Sequence, residues 1–316
     1  MTFGPDTTTD DVLDGVDLSG RHIVVTGAST GLGEETTRAL AAHGASVTMA
    51  VRDPERGRAA ASRIRDAVAD AALEVRLVDL ASLDSIRAFA ADFLADHDRI
   101  DILINNAGIM ACPQGATVDG FELQFGTNHL GHFLLTNLLL PALSRGAPAR
   151  VVSVSSAGHR FSDVVLDDIN FDRSTYEPWV AYGRAKTANA LFAVELDRRF
   201  APAIHAFSLH PGGIQTELSR HLTEDSLNTL IAAMPPGEPM KWKSIAAGAA
   251  TSVWAAAAPE LDAHGGAYLE DCQVAEINAD PAGRGGVKAY AVNPERARAL
   301  WNLSAELVGI ATPTPD

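Results

Sequence analysis

The segment Thr26–Gly33, Thr-Gly-Ala-Ser-Thr-Gly-Leu-Gly, limits what this chain can fold into more than any other stretch. It follows a short β-branched run, His22–Thr26. It opens a segment, Gly33 to His43, that reads as a helix and stops at Gly44. A strand that turns on glycines into a helix is the opening unit of a doubly wound α/β fold. Gly27, Gly31 and Gly33 let the turn tighten and let backbone N–H groups approach an anion, which then rests on the helix N-terminus. Gly-rich turns are common. The strand–turn–helix setting is what makes this one a candidate pyrophosphate cradle, lined further by Ser29, Thr30 and Leu32.

The alternation continues down the chain. Ser46–Val51 reads as a strand and Pro54 to Val68 as a charged, Ala-rich surface helix. Val75–Val78 is a strand ending at Asp79. Ser82 to His97 carries Leu83, Ile86, Phe89, Ala90 and Phe93 at helical spacing. Asp101–Ile104 is a strand, Gly120 to Leu143 mostly helical, Arg150–Val154 a strand and Val180 to Phe200 a long helix. Ile204–Leu209, the helix Ser244 to Ala257 and the short strand Ala267–Leu269 follow. This pattern predicts a Rossmann-type, mostly parallel sheet of about seven strands with helices on both faces. No composition break divides the chain, so one domain is expected over 20–275. Residues 1–19 read as a flexible acidic arm. Residues 276–316 read as a C-terminal extension whose helix, Pro294 to Val308, covers the pocket or a sheet edge.

Composition narrows the function. With 316 residues, 47% apolar and 21% charged, the chain is ordinary globular material. Its formal charge of −15 argues against nucleic acid or an anionic membrane as partner, since both demand basic patches. Two cysteines, Cys112 and Cys272, make neither a disulfide framework nor a metal cluster, and a reducing cytoplasm is the simplest setting. Met1 to Asp11 lacks the basic and apolar runs of a signal peptide. Ile245 to Ala258 is too short to span a bilayer and reads as a core helix. His129 and His132 lie three apart on a helix, but no third ligand stands at useful spacing, so no metal is expected.

Arg52 follows the second strand, where a dinucleotide fold meets the adenosine ribose. A carboxylate there would accept from the 2′-hydroxyl of NAD, whereas Arg can pair with the 2′-phosphate of NADP. NADP(H) is therefore favoured over NAD(H), although Asp53 stands next door. Asp79, with Leu80 beside it, is positioned to meet the adenine or to sit at a helix start. Asn106, Ala107 and Gly108 follow the fourth strand and can line the cleft.

Tyr182 and Lys186 stand one helical turn apart. A phenol titrates near 10, and a neighbouring ammonium favours its ionised form, so the pair can move a proton near neutrality. Ser155 and Ser156 end the strand Arg150–Val154, at the sheet edge where parallel sheets bind ligands. One of them can hold a developing oxyanion. Asn128 reads either as the anchor of a water linked to Lys186 or as a buried amide at a helix kink.

Together these residues resemble the short-chain dehydrogenase/reductase family over roughly residues 20–275. Thr26–Gly33 resembles its glycine motif and Asn105–Gly108 its Asn-Asn-Ala-Gly segment. Ser156, Tyr182 and Lys186 with Asn128 resemble its catalytic set. Pro211-Gly212 resembles its turn after the sixth strand, with Thr216 near the cofactor carboxamide. Asn128–Phe133 and the long Ser156-to-Tyr182 stretch resemble retinol dehydrogenase-like members, which commonly carry Arg where Arg52 stands. The resemblance implies an NADP-dependent carbonyl reductase or alcohol dehydrogenase acting on a small-molecule carbonyl or alcohol. It also implies a lid over about 217–242, and family members often form a homodimer or homotetramer through the helices that here bear Asn128 and Tyr182, while a monomer stays open. Leu218, Leu227, Leu230, Ile231, Met234, Met240 and Trp242 suit that lid to a bulky apolar substrate. The membrane anchor of some retinol dehydrogenases is not expected, so retinoid chemistry is not implied. The alternative is a nucleotide-sensing regulator of the same fold without turnover. An epimerase or dehydratase is disfavoured by the glycine spacing.

Overall fold

The computed structural model describes residues 3–221, 242–280 and 285–311. Its sheet runs β3-β2-β1-β4-β5-β6-β7-β8. The strands are β1 (His22–Thr26), β2 (Ser46–Val51), β3 (Leu73–Leu77), β4 (Ile102–Asn105), β5 (Ala149–Val154), β6 (Ile204–His210), β7 (Tyr268–Glu270) and β8 (Gln273–Val274). All pairings are parallel except β7 with β8. The order reverses between β1 and β4, and ligands of such sheets bind in the crevice at that switch point. The predicted seven strands are joined by β8, two residues long and too short to leave a periodicity signal.

The main helices are α1 (Thr9–Leu13), α2 (Gly31–Ala42), α3 (Pro54–Ala67), α4 (Leu83–Asp96), α5 (Leu123–Phe125), α6 (Gly131–Arg145), α7 (Pro178–Phe200), α8 (Ile245–Ala257) and α9 (Pro294–Leu307). They bury the sheet on both faces. One core gathers Phe89, Phe93, Phe133, Leu191 and Trp301 from α4, α6, α7 and α9. The other gathers Leu13, Leu40, Ile64 and Val253 from α1, α2, α3 and α8. Central strands have no wet face: β4 and β5 are buried along their whole length and β1 from Ile23 onward, with Val, Ile and Leu filling most of these positions.

Three expectations are corrected. The first 19 residues are not a free arm: Thr8 and Asp11 form a capping box on α1, and Val12, Leu13 and Leu18 are buried in the second core. A five-residue helix is unstable alone, so its docking against α2 and α8 supports it. The C-terminal extension is likewise part of the core, because α9 lies along α7 and buries Trp301. The helical stretch after β4 is also interrupted. Between α5 and α6 the five residues Gly126–Leu130 wind as a π-helix, the kind of local bulge that recurs at functional sites. Gly131 permits it, since a Cβ there would stand 2.4 Å from the Leu80 carbonyl oxygen.

Candidate active site

The glycine turn is built to receive an anion. Gly27 and Gly31 have φ of +66° and +57°, a region other residues rarely adopt. A Cβ on Gly33 would stand 2.3 Å from the Gly27 carbonyl oxygen, so turn and helix can close only around glycine. Thr30, the N-cap of α2, makes no side-chain capping bond. The first N–H groups of this helix therefore lack the partner a cap would supply, and the positive end of the helix faces the turn. Ser29, Thr30, Gly31 and Leu32 are all half-buried around it. The loop after β6 lies against the same turn: the Thr216 methyl would be 3.3 Å from a Cβ on Gly31. These features fit the diphosphate of a dinucleotide.

Polar bonds hold the neighbouring strand ends together. The Thr26 hydroxyl accepts from the backbone N–H groups of Asn106 (2.9 Å) and Ala107 (3.0 Å). With both lone pairs used, its proton goes to His132 Nε2, 2.9 Å away. His132 Nδ1 then donates to the Asn128 carbonyl, also at 2.9 Å. Asn106 returns a bond to the Thr26 carbonyl (2.8 Å). His132, a ligand decoy in the sequence, is thus the neutral spacer joining β1, the turn after β4 and the π-helix. Burial pushes its pKa down to about 4, which keeps it neutral. His129 is bonded instead to Ser304 on α9 (2.8 Å), and no group of three possible ligands occurs among the described residues.

Farther along the crevice, Arg52 is exposed just past β2. Asp53 turns its carboxylate back onto the α3 N-terminus, accepting from Glu55 (3.0 Å) and Arg56 (3.2 Å). The acidic neighbour that complicates the nucleotide reading is therefore a helix cap. One oxygen of Asp79 accepts from Ala81 N–H (2.9 Å), and Leu80 is buried against Gly131. At the other end, Pro211 is buried and Gly212 has φ of +101°, with Lys243 packed where a Cβ would be.

The proton-moving groups meet at the carboxyl end of β5. Pro178 and the Glu177 cap start α7 where Tyr182 and Lys186 face the sheet. Gly158 allows Tyr182 to pass close to the Ser156 turn, because a Cβ there would meet the phenol ring at 2.6 Å. Ser156 accepts from Gly158 N–H (3.0 Å), and its hydroxyl is close enough to the Tyr182 phenol to favour the ionised form. Of the serine pair, Ser155 instead points into the fold and donates to the Lys186 carbonyl (2.7 Å). Lys186 Nζ donates to the Val154 carbonyl (2.9 Å) and lies 5.6 Å from the Tyr182 ring centre. Burial pushes the Tyr182 phenol up to about 12, against the opposing pull of the Ser156 hydroxyl, and pushes the Lys186 ammonium down to about 7. Desolvation, and not the ammonium expected from sequence, thus sets the direction of the Tyr182 shift. Asn128, within the π-helix, bonds Ile109 in both directions, each at 2.9 Å. Gly108 brings its Oδ1 and Lys186 Nζ together: a Cβ on Gly108 would be 3.2 and 3.6 Å from them.

Around the phenol, Met110, Ala111, Phe161 and Trp179 form a separate apolar cluster. The Trp179 ring meets Tyr182 edge-on at 6.0 Å. Most of the expected lid, including Leu227, Leu230, Ile231, Met234 and Met240, lies outside the described residues. Its two ends, the 3-10 turn Glu217–His221 and Trp242, are within them.

The model of the short chain dehydrogenase family matches residues 21–227. This chain belongs to the short-chain dehydrogenase family. It is 43% identical over 296 residues to mouse retinol dehydrogenase 12, covering 93% of this chain and 88% of that one. A crystal structure of an uncharacterized Mycobacterium paratuberculosis protein is 37% identical with a TM-score of 0.72, covering 98% and 99% of the two chains. The Pseudomonas aeruginosa RhlG/NADP complex is 26% identical with a TM-score of 0.63, covering 80% and 95%. The short-chain dehydrogenase motifs seen in the sequence therefore converge on one crevice. The Thr26–His132–Asn128 chain was missed, because its partners are far apart in sequence and only the fold joins them. His210, the last residue of β6, also reaches the Ser156 turn. It accepts from Ala157 N–H (3.1 Å) beside Ser156.

Proposed function

We propose that this chain interconverts a carbonyl compound and an alcohol using NADP(H). The observation that carries the reading is the meeting of Ser156, Tyr182 and Lys186 beside the glycine cradle at the switch point of the sheet. The nicotinamide, when bound, supplies or accepts hydride. In the reducing direction Ser156 holds the carbonyl oxygen by its hydroxyl, and Tyr182 gives that oxygen its proton. Lys186 steadies the phenolate left behind, and Asn128 keeps the Ile109 backbone beside it in place. The oxidation runs through the same groups in reverse.

Arg52 supports NADP over NAD, since its guanidinium has no hydrogen-bond or ion-pair partner among the described residues and Asp53 is occupied. The RhlG relative, solved with NADP, agrees with that preference. The apolar cluster around Tyr182 supports a bulky, weakly polar substrate.

The test is NADPH consumption against aromatic, aliphatic and steroidal carbonyls, with NADH and Tyr182→Phe in parallel. Turnover with NADPH, weak with NADH and reduced by about 100-fold or more in the variant, is expected. Full activity of Tyr182→Phe would sink the mechanism. Tight NADPH binding with no turnover of any carbonyl would favour a sensing protein instead.

A further inference from the structure

Gln124, the second residue of α5, is fully buried, and its side chain lies between two loops. Its Oε1 accepts from Ala111 N–H at 2.9 Å. Its Nε2 donates to the Pro178 carbonyl and to the Tyr176 hydroxyl, each at 3.0 Å. The two backbone partners fix the orientation of the amide, because an N–H can only donate and a carbonyl can only accept. The Tyr176 hydroxyl in turn donates to the Cys112 carbonyl (3.0 Å). One amide and one phenol thus tie residues 111–112, on the loop after β4, to residues 176–178, at the start of α7.

What these loops carry gives the tie its meaning. Met110 and Ala111, from one loop, and Trp179, next to Pro178, from the other share the apolar cluster that packs with Tyr182. Ala111 is held at φ +47°, a left-handed conformation that costs a residue with a Cβ on the order of 1 kcal/mol. The bond from its N–H to Gln124 helps to hold it there. Gln124 is itself secured, since the Glu122 carboxylate accepts from Gln124 N–H (2.9 Å) and Phe125 N–H (2.6 Å). Glu122 N–H donates to the Asn170 side chain (2.9 Å). The catalytic groups are braced by other bonds, Ser156 to Gly158 and Lys186 to Val154.

We propose that Gln124 is a positioning residue that sets the spacing between the two apolar walls beside Tyr182, and so selects the size of substrate. The selection of substrate rests on the carbonyl–alcohol reading above. The bonding of the two walls does not.

Gln124→Met keeps length and apolar volume but removes all three side-chain bonds. With decanal as the large substrate, KM is expected to rise about 10-fold while kcat stays within about 3-fold, a loss of uniform substrate binding. With propanal, too small to span the walls, and for the affinity of NADPH, no change beyond about 2-fold is expected. Hydrogen–deuterium exchange should quicken in residues 109–115 and stay unchanged in α6. Tyr176→Phe, which removes a single hydroxyl, should shift the decanal KM in the same direction by less, and it carries the test if Gln124→Met does not fold. Equal losses in kcat for both aldehydes would overturn the proposal, as would unchanged exchange at residues 109–115. Wild-type protein that turns over no carbonyl of the panel above, aldehyde or ketone, with exchange quickened in the variant, would overturn the carbonyl reading and the selection role together and leave the tie as architecture.

Discussion

At the scale of single residues, the site is a place where burial and chemistry conflict. Lys186 is almost wholly buried, and its pKa falls from 10.5 to about 7 because water no longer solvates the ammonium. A base depressed on folding contributes its full stability above the unfolded value and loses it as pH falls through the folded one. At neutral pH the lysine therefore costs the fold part of its stability. Lys186→Met is expected to melt at a higher temperature at pH 7, by roughly 2 °C per kcal/mol recovered, while turnover disappears. The Val154 carbonyl keeps a partner in that variant, since Asn189 also donates to it (3.1 Å). Calorimetry at pH 7 checks this, and a lower melting temperature would show that the ammonium is solvated. The Tyr182–Lys186 spacing was legible because a helix puts residues four apart on one face. The depth of burial was not, because it depends on what packs over that face.

At the scale of elements, α9 decides how much of α7 is exposed. Trp301 meets Phe133 edge-on at 4.9 Å, stacks on Phe192 at 5.7 Å, and has the Arg199 guanidinium 4.7 Å from its ring centre. Trp301→Ala is expected to destabilise the fold by about 3–5 kcal/mol through the cavity it leaves. Trp301→Phe should cost less than about 1.5 kcal/mol, since the indole N–H has no hydrogen-bond partner among the described residues. Urea midpoints of the two variants check the pair, and equal losses would mean that ring size is not what matters. Helix starts and stops were readable where caps announce them, as with Asp53 before Pro54. The π-helix at Gly126–Leu130 was not, because no local pattern announces it and Gly131, which follows it, packs against Leu80 from another part of the chain.

At the scale of the whole molecule, acid should unfold this protein earlier than its carboxylates alone would. His129, His132, His159 and His210 are all pushed down by burial, to about 3, 4, 4 and 3, from 6.5. Each depressed histidine contributes stability that is complete above 6.5 and is lost as pH falls toward its folded value. The slope is up to about 1.4 kcal/mol per pH unit for each. Denaturant midpoints are expected to fall steadily from about pH 6.5 to about pH 4, and His132→Gln should flatten that slope by about a quarter. A midpoint independent of pH over that range would mean that these rings are not desolvated. Asp101 and Glu74, lowered by arginine and histidine partners, add their loss only at lower pH.

By itself the sequence determined the alternation of strands and helices, the glycine cradle and the identity of Ser156, Tyr182 and Lys186. These are local properties: periodicity, the freedom of glycine and the pitch of a helix act within a few residues. Tertiary structure decided that residues 9–18 and α9 belong to the core, since a weak apolar segment counts only when another surface receives it. It also decided that Thr26 reaches His132 and that Gln124 ties Ala111 to Pro178. A buried polar side chain must find a partner, but which partner depends on segments brought together from distant parts of the chain.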